Sequence, residues 1–297
     1  MYTARMNMRD FTLLMICCLG WAGNFVISAW ALGRFPVPPF LLAAIRAACV
    51  LGFMGLFLFK PRPEKFLTLL AVCACVGPIH LAFLYTGLQT APAAGSSIVA
   101  QMFIPFATVL SVIFLKEKIG WVRGLAIFGA FIGVMIMIYE PAGLKPDIGL
   151  VYVMIAYLSL AVGSVLMKKV GDVSWQVYVA WMAFMVLIVM SLATSVFESG
   201  HADVWRAAKW PLILTALYGA ICVSIIAHGQ YFDLVKKYDV SVIVPLTLMM
   251  PVFAAILSVL LLKETIFIRY FVGAALIFPC VYIIAAHARK SDGEIAP

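Results

Sequence analysis

The chain has 297 residues, of which 65% are hydrophobic and only 11% charged, with a formal net charge of +8. A soluble domain carries about 25% charged residues, so this chain could not cover a water-exposed surface with polar groups. The composition excludes an ordinary globular enzyme in water and fits a chain whose solvent is lipid.

Charged or Pro/Gly-rich breaks divide the sequence into ten apolar segments, each near the roughly 20 residues a bilayer crossing needs. Span one, 10–32, follows Arg5 and Arg9 as a secretion signal would. Similar segments recur to residue 287, however, so it reads as a retained first span. It carries Trp21, Asn24 and Ser28 on one helical face. Span two, 38–59, holds Arg46, the one cation inside a span. Span three, 66–89, offers Gly77, His80, Leu84 and Gly87 in a stripe, with Pro78 among them. Span four, 94–115, offers Ser97, Gln101 and Thr108, with Pro105 in the same stripe. Span five, 121–139, has no such stripe. Span six, 147–168, carries Tyr157, Ser164 and Lys168. Span seven, 175–197, has no such stripe either. Span eight, 210–233, carries Ser224, His228 and Tyr231. Span nine, 240–262, carries Ser241, Pro245, Thr247 and Pro251, and span ten, 268–287, carries Pro279.

Polar groups in a span face a cavity or another helix. A substrate site built from Trp21, Asn24, His80, Ser97, Gln101, Tyr157, Ser164, Ser224 and His228 is one reading. The alternatives are bland: serines bonding back to their own helix, Asn24 clamping two helices, the histidines packing, Trp21 facing lipid. Arg46 either holds helices together by bonding backbone carbonyls or receives a substrate carboxylate. Prolines bend helices, and Pro105 and Pro251 are candidate hinges.

The sequence says one thing twice. Residues 106–119, FATVLSVIFLKEKI, and 253–266, FAAILSVLLLKETI, are identical at nine of fourteen positions. Tyr85 and Leu88 match Tyr231 and Leu234, and Pro105 matches Pro251. This divides the chain into a repeat at 1–143, a second at 144–290 and a tail at 291–297. Five spans per half make the second half enter the membrane from the opposite side, an inverted repeat of the kind many secondary transporters use. With the N-terminus inside, the cytoplasmic segments hold fourteen Lys and Arg against six outside. That asymmetry sets both termini in the cytoplasm and the protein in the cell (inner) membrane. It also explains the basic charge without nucleic acid.

What is missing narrows the function. All thirteen acidic residues lie at or beyond span ends. That disfavours a carboxylate proton relay, a polycation site and a midplane metal site. No Walker A sequence and no HExxH occurs. The seven cysteines fall inside apolar segments and read as small buried hydrophobes, with no metal or cofactor implied.

The motif Trp21-Ala22-Gly23-Asn24-Phe25, Arg46 in span two and the paired Pro-(x)n-Leu-Lys-Glu endings of spans four and nine together resemble the drug/metabolite transporter superfamily, EamA type. Within it the chain is most similar to YddG-like exporters of aromatic and other neutral amino acids. The resemblance implies an all-α integral membrane fold, two five-helix inverted repeats around a cavity lined by spans one, three, four, six, eight and nine. The expected function is export of small neutral metabolites, amino acids including aromatic ones first, by alternating access. The alternatives are another metabolite such as a drug-like amine or a nucleoside, a channel, or an integral-membrane enzyme. The partners expected are a small-molecule substrate and the lipid bilayer, and a monomer is compatible with the sequence.

Overall fold

The computed structural model describes residues 6–61, 63–116, 120–140, 145–238, 243 and 246–293. Glu117 of the first Leu-Lys-Glu ending, the repeat boundary at 143, Ser241 and Pro245 of span nine, and tail residues 294–297 lie outside the described residues.

Nine described helices are long and apolar enough to cross a bilayer. They are span one (Met8–Arg34), two (Pro39–Phe59), three (Phe66–Gly87), four (Ala93–Phe114), five (Trp121–Ile138), six (Ile148–Met167), seven (Trp175–Phe197), eight (Lys209–Val235) and ten (Ile268–Ala286). A shorter apolar helix, Met249–Leu262, stands where the sequence places the ninth. A seven-residue helix, His201–Ala207, links spans seven and eight. A two-residue antiparallel ladder, Tyr139–Glu140 with Lys145–Pro146, brackets the link between spans five and six. Large apolar side chains stand out on the surface, among them Leu56, Leu67, Phe197 and Ile268. In water such an apolar surface would drive association; facing lipid chains it is the expected covering of a bundle whose backbone groups are satisfied within helices.

Helix starts show why the bundle closes as it does. Span one is capped locally, Asn7 accepting from the Asp10 N–H at 2.7 Å. Span six is capped locally as well, Asp147 accepting from the Leu150 N–H. Spans two and four begin after Pro38 and Pro92, which have no capping side chain. Their free N–H groups are taken by distant carboxylates. Glu198 accepts from Phe40 and Leu41, and Glu264 accepts from Ala93 and Ala94.

The packing is reciprocal. Span five lies along span ten, and span two along span seven. Span one packs on spans eight and nine, while span six packs on spans three and four. Small residues permit the closest approach: a Cβ on Gly273 would meet the Gly133 carbonyl at 2.8 Å, and one on Gly133 the Gly273 carbonyl at 3.0 Å. This is the small-residue contact that tight helix pairs in membranes use.

The two Leu-Lys-Glu stretches end their helices alike. Lys116 and Lys263 both adopt a left-handed conformation, each with φ of 56°, and they are the only non-glycine residues with positive φ among those described. A side chain is uncommon there, and the same unusual ending occurs on spans four and nine. The prolines also match. Pro105 is the third residue of the helical stretch Phe103–Leu115, and Pro251 the third of Met249–Leu257.

Candidate functional site

A cavity of about 480 Å³ lies at the centre of the bundle. It runs from mid-bundle into the half where span one starts, reaching Met167, Tyr178, Tyr231 and Thr247. The ends of spans one, two, four and six that carry Arg34, Pro39, Ala93 and Ile148 contribute nothing to its wall. Spans two and seven contribute alongside the six spans expected from the resemblance, through Arg46, Ala47 and Val50 and through Tyr178, Met182, Ala183 and Val186. No described residue of spans five and ten lines it.

Eight of the nine residues proposed for the site from the sequence stand on this wall: Trp21, Asn24, His80, Gln101, Tyr157, Ser164, Ser224 and His228. Ser97 does not. It is fully buried elsewhere, and its hydroxyl donates to the Ala94 carbonyl of its own helix at 2.7 Å. Ser164 also bonds back, to Ala161, while still facing the cavity. Pro105 and Pro251 lie off the wall; Pro251 borders a separate apolar groove beside span ten. The residues four positions before them, Gln101 and Thr247, do line the cavity. The helix bonds that these prolines remove are therefore at cavity depth.

Aromatic rings form much of the wall. The Trp21 ring meets Tyr231 edge-on with centroids 5.1 Å apart, and His228 at 5.9 Å. Phe25 stacks on Tyr157 at 6.4 Å, and His80 meets the same ring edge-on at 5.2 Å. The His80 Nδ1–H donates to the Ala156 carbonyl at 2.9 Å, since a carbonyl can only accept. That leaves Nε2 as the ring's acceptor. The Trp21 Nε1–H is buried without a partner. No described residue hydrogen-bonds the Gln101 amide, although that residue is only 6% exposed.

Spans three and eight widen into π-helical turns at the cavity. The stretches are Cys75–Ile79, containing Pro78, and Gly219–Ala227, and each is followed at once by a histidine, His80 and His228. Such widened turns gather at functional sites because they displace side chains from ordinary helical register.

Arg46 corrects one expectation. It bonds side chains, not backbone carbonyls: Nη1 donates to Tyr85 Oη at 2.7 Å and to Asn24 Oδ1 at 3.4 Å, and Nη2 donates to Ser224 Oγ at 3.1 Å. Ser224 donates onward to the Gly219 carbonyl. The guanidinium lies flat on Gly219, where an added Cβ would fall 2.9 Å from Nε. Nothing in the local sequence announces this partnership, because Gly219 is one of many span glycines. Tyr178, Met182 and Val186 were missed because span seven has no polar stripe. Their spacing of four does place them on one helical face.

On the half where the cavity extends, spans one and eight are tied together. Lys237 and Tyr238 both donate to the Asp10 carboxylate, the tyrosine at 2.6 Å.

Residues 10–139 and, separately, 147–286 match the EamA-like transporter family. Two bacterial proteins each named a probable amino-acid metabolite efflux pump are similar over nearly the whole chain. That of Escherichia coli is 26% identical over 94% of this chain and 95% of its own. That of Salmonella typhimurium is 28% identical over the same shares. A solved crystal structure, 20% identical, superposes with a TM-score of 0.62 over 96% of this chain and 99% of that one, which shows a common fold.

Proposed function

The chain belongs to the EamA-like transporter family, and on that premise we propose that it exports small neutral metabolites, amino acids including aromatic ones first, by alternating access. One observation carries the reading. The cavity falls within the roughly 300–1,000 Å³ usual for small-molecule sites. Its wall combines aromatic faces with polar side chains, one cation and, among the described residues, no carboxylate. An aromatic amino acid suits such a wall: its ring packs on Trp21, Tyr157 and Tyr231, and its polar end meets Gln101 and the histidines. The efflux-pump names of the two bacterial relatives support the amino-acid assignment.

Alternating access would come from the two halves, 1–143 and 144–290, acting as an inverted pair in the cell membrane with both termini in the cytoplasm. The identical left-handed endings at Lys116 and Lys263 and the matched prolines support that arrangement. On this reading the structure stands open toward the cytoplasm.

Counterflow in proteoliposomes tests the function. Vesicles are loaded in turn with Phe, Thr, Met, a nucleoside, an amine and a sugar, and tracer uptake is followed. Saturable uptake that rises only with amino-acid loading is the expected result. Uptake driven only by the nucleoside or the amine would replace the amino-acid assignment, and unsaturable flux would replace the carrier with a channel.

A further inference from the structure

We propose that Arg46 is the receptor for a carboxylate on the transported solute, so that the cavity selects carboxylates and rejects solutes whose only charge is positive. The inference deepens the functional reading above and rests on it for the site's being a transport site.

Arg46 stands on the cavity wall at 7% exposure. A guanidinium has five N–H donors in a planar fork, and only three bonds use them here. All three acceptors, Tyr85, Asn24 and Ser224, are neutral. No carboxylate reaches ion-pairing distance of Arg46 among the described residues. Acids with buried or half-buried side chains are committed elsewhere: Asp10 to Lys237 and Tyr238, Asp147, Glu198 and Glu264 to helix starts. A buried cation without a counter-ion is costly. The protein holds it in place by a flat seat on Gly219 and a polar cradle from spans one, three and eight. Asn24, Tyr85 and Ser224 fix the fork without neutralising it. The vacant donors on Nε and Nη2 match the bidentate geometry of a carboxylate. Trp21, Tyr157 and His228 share the same cavity wall, so a ring attached to that carboxylate has aromatic surface within reach.

Three ligands separate the terms: phenylalanine, phenyllactate, which keeps the carboxylate without the ammonium, and phenethylamine, which keeps the ammonium without the carboxylate. Melting temperature of the purified protein and counterflow are both read. In the wild type, phenylalanine and phenyllactate should stabilise and exchange, and phenethylamine should do neither. Arg46→Gln should lose at least tenfold in apparent affinity for the two carboxylates, and Arg46→Lys should recover part of it.

Asn24→Asp is the sharper variant, because it sets an isosteric carboxylate beside Nη1. It should keep or raise the melting temperature while weakening carboxylate binding at least tenfold. A purely structural Arg46 predicts the same firmer pair but with carboxylate binding and transport intact, and that result overturns the proposal. So does equal response to phenethylamine and phenyllactate, or no response to any carboxylate. If phenyllactate depends on Arg46 but phenylalanine is not transported, the receptor stands and amino-acid export falls. If phenylalanine exchanges normally in Arg46→Gln, amino-acid export stands and the receptor falls.

Discussion

The Glu264 carboxylate accepts hydrogen bonds from the N–H groups of Ala93, at 2.9 Å, and Ala94, at 3.3 Å, across 171 and 170 positions of chain. Two residues before it in sequence, the Leu262 carbonyl accepts from Arg34 Nη2 at 2.6 Å. The end of span nine is thus fastened to the start of span four and the end of span one. All three lie on the side where the cavity has no wall residues. An acid at a helix start satisfies free N–H groups and complements the helix dipole.

Glu264→Ala should therefore cost about 0.5–2 kcal/mol of stability, the usual worth of a helix cap. It should also loosen that end of the bundle. A cysteine placed at Leu84, in a chain lacking the native cysteines, should become several times more reactive to a membrane-impermeant thiol reagent added on that side. Unchanged labelling with the cap removed would show that Glu264 stabilises span four without holding the end closed.

Gly219 sits under the Arg46 guanidinium, and an added Cβ would lie 2.9 Å from both Cδ and Nε. Ala is intrinsically better than Gly in a helix by roughly 0.5–1 kcal/mol, which partly offsets the clash. Gly219→Ala should thus change melting temperature little while moving the guanidinium off its three acceptors. Transport should fall at least tenfold through a raised KM. Wild-type kinetics in this variant would mean that the position of Arg46 does not matter.

The amphipathic logic of a soluble protein was useless here, yet ten apolar segments, their breaks and the polar stripes were legible from residue types alone. Trp21, His80, Gln101 and His228 stood out because a polar or amphipathic side chain inside a span needs a reason. Tyr178 and Met182 gave no such signal, since an apolar residue facing a cavity reads like one facing lipid. Ser97 gave a false one: a hydroxyl can satisfy itself on its own helix, as it does at Ala94. Arg46 was visible as a buried cation, but its acceptors were not. Asn24, Tyr85 and Ser224 come from three other spans. Likewise, Glu198 and Glu264 read as loop acids, because their N–H partners are distant in sequence and capping by a remote side chain leaves no local pattern.

Pro105 and Pro251 each remove a helix bond opposite a residue on the cavity wall, Gln101 and Thr247. If those bends are hinges, Pro105→Ala and Pro251→Ala should straighten and stiffen spans four and nine. Each should slow counterflow roughly tenfold with little change in KM, because the wall residues remain while the swing is hindered. Melting temperature should hold or rise. A normal exchange rate in both variants would remove the hinge role.

Proton coupling is the remaining mechanistic choice, and the cavity argues against it. Among the described residues its wall has no carboxylate, and its ionisable rings are few. His80 has already committed Nδ1 to the Ala156 carbonyl. His228 packs against Trp21. A carrier exchanging one proton per solute would be driven to about tenfold accumulation per pH unit, since one unit is worth 1.36 kcal/mol. A uniporter shows none. Proteoliposomes with equal solute on both sides and a one-unit pH step should show no net accumulation, and His228→Gln should leave that flat response unchanged. Accumulation approaching tenfold, abolished by His228→Gln, would instead make His228 the proton carrier.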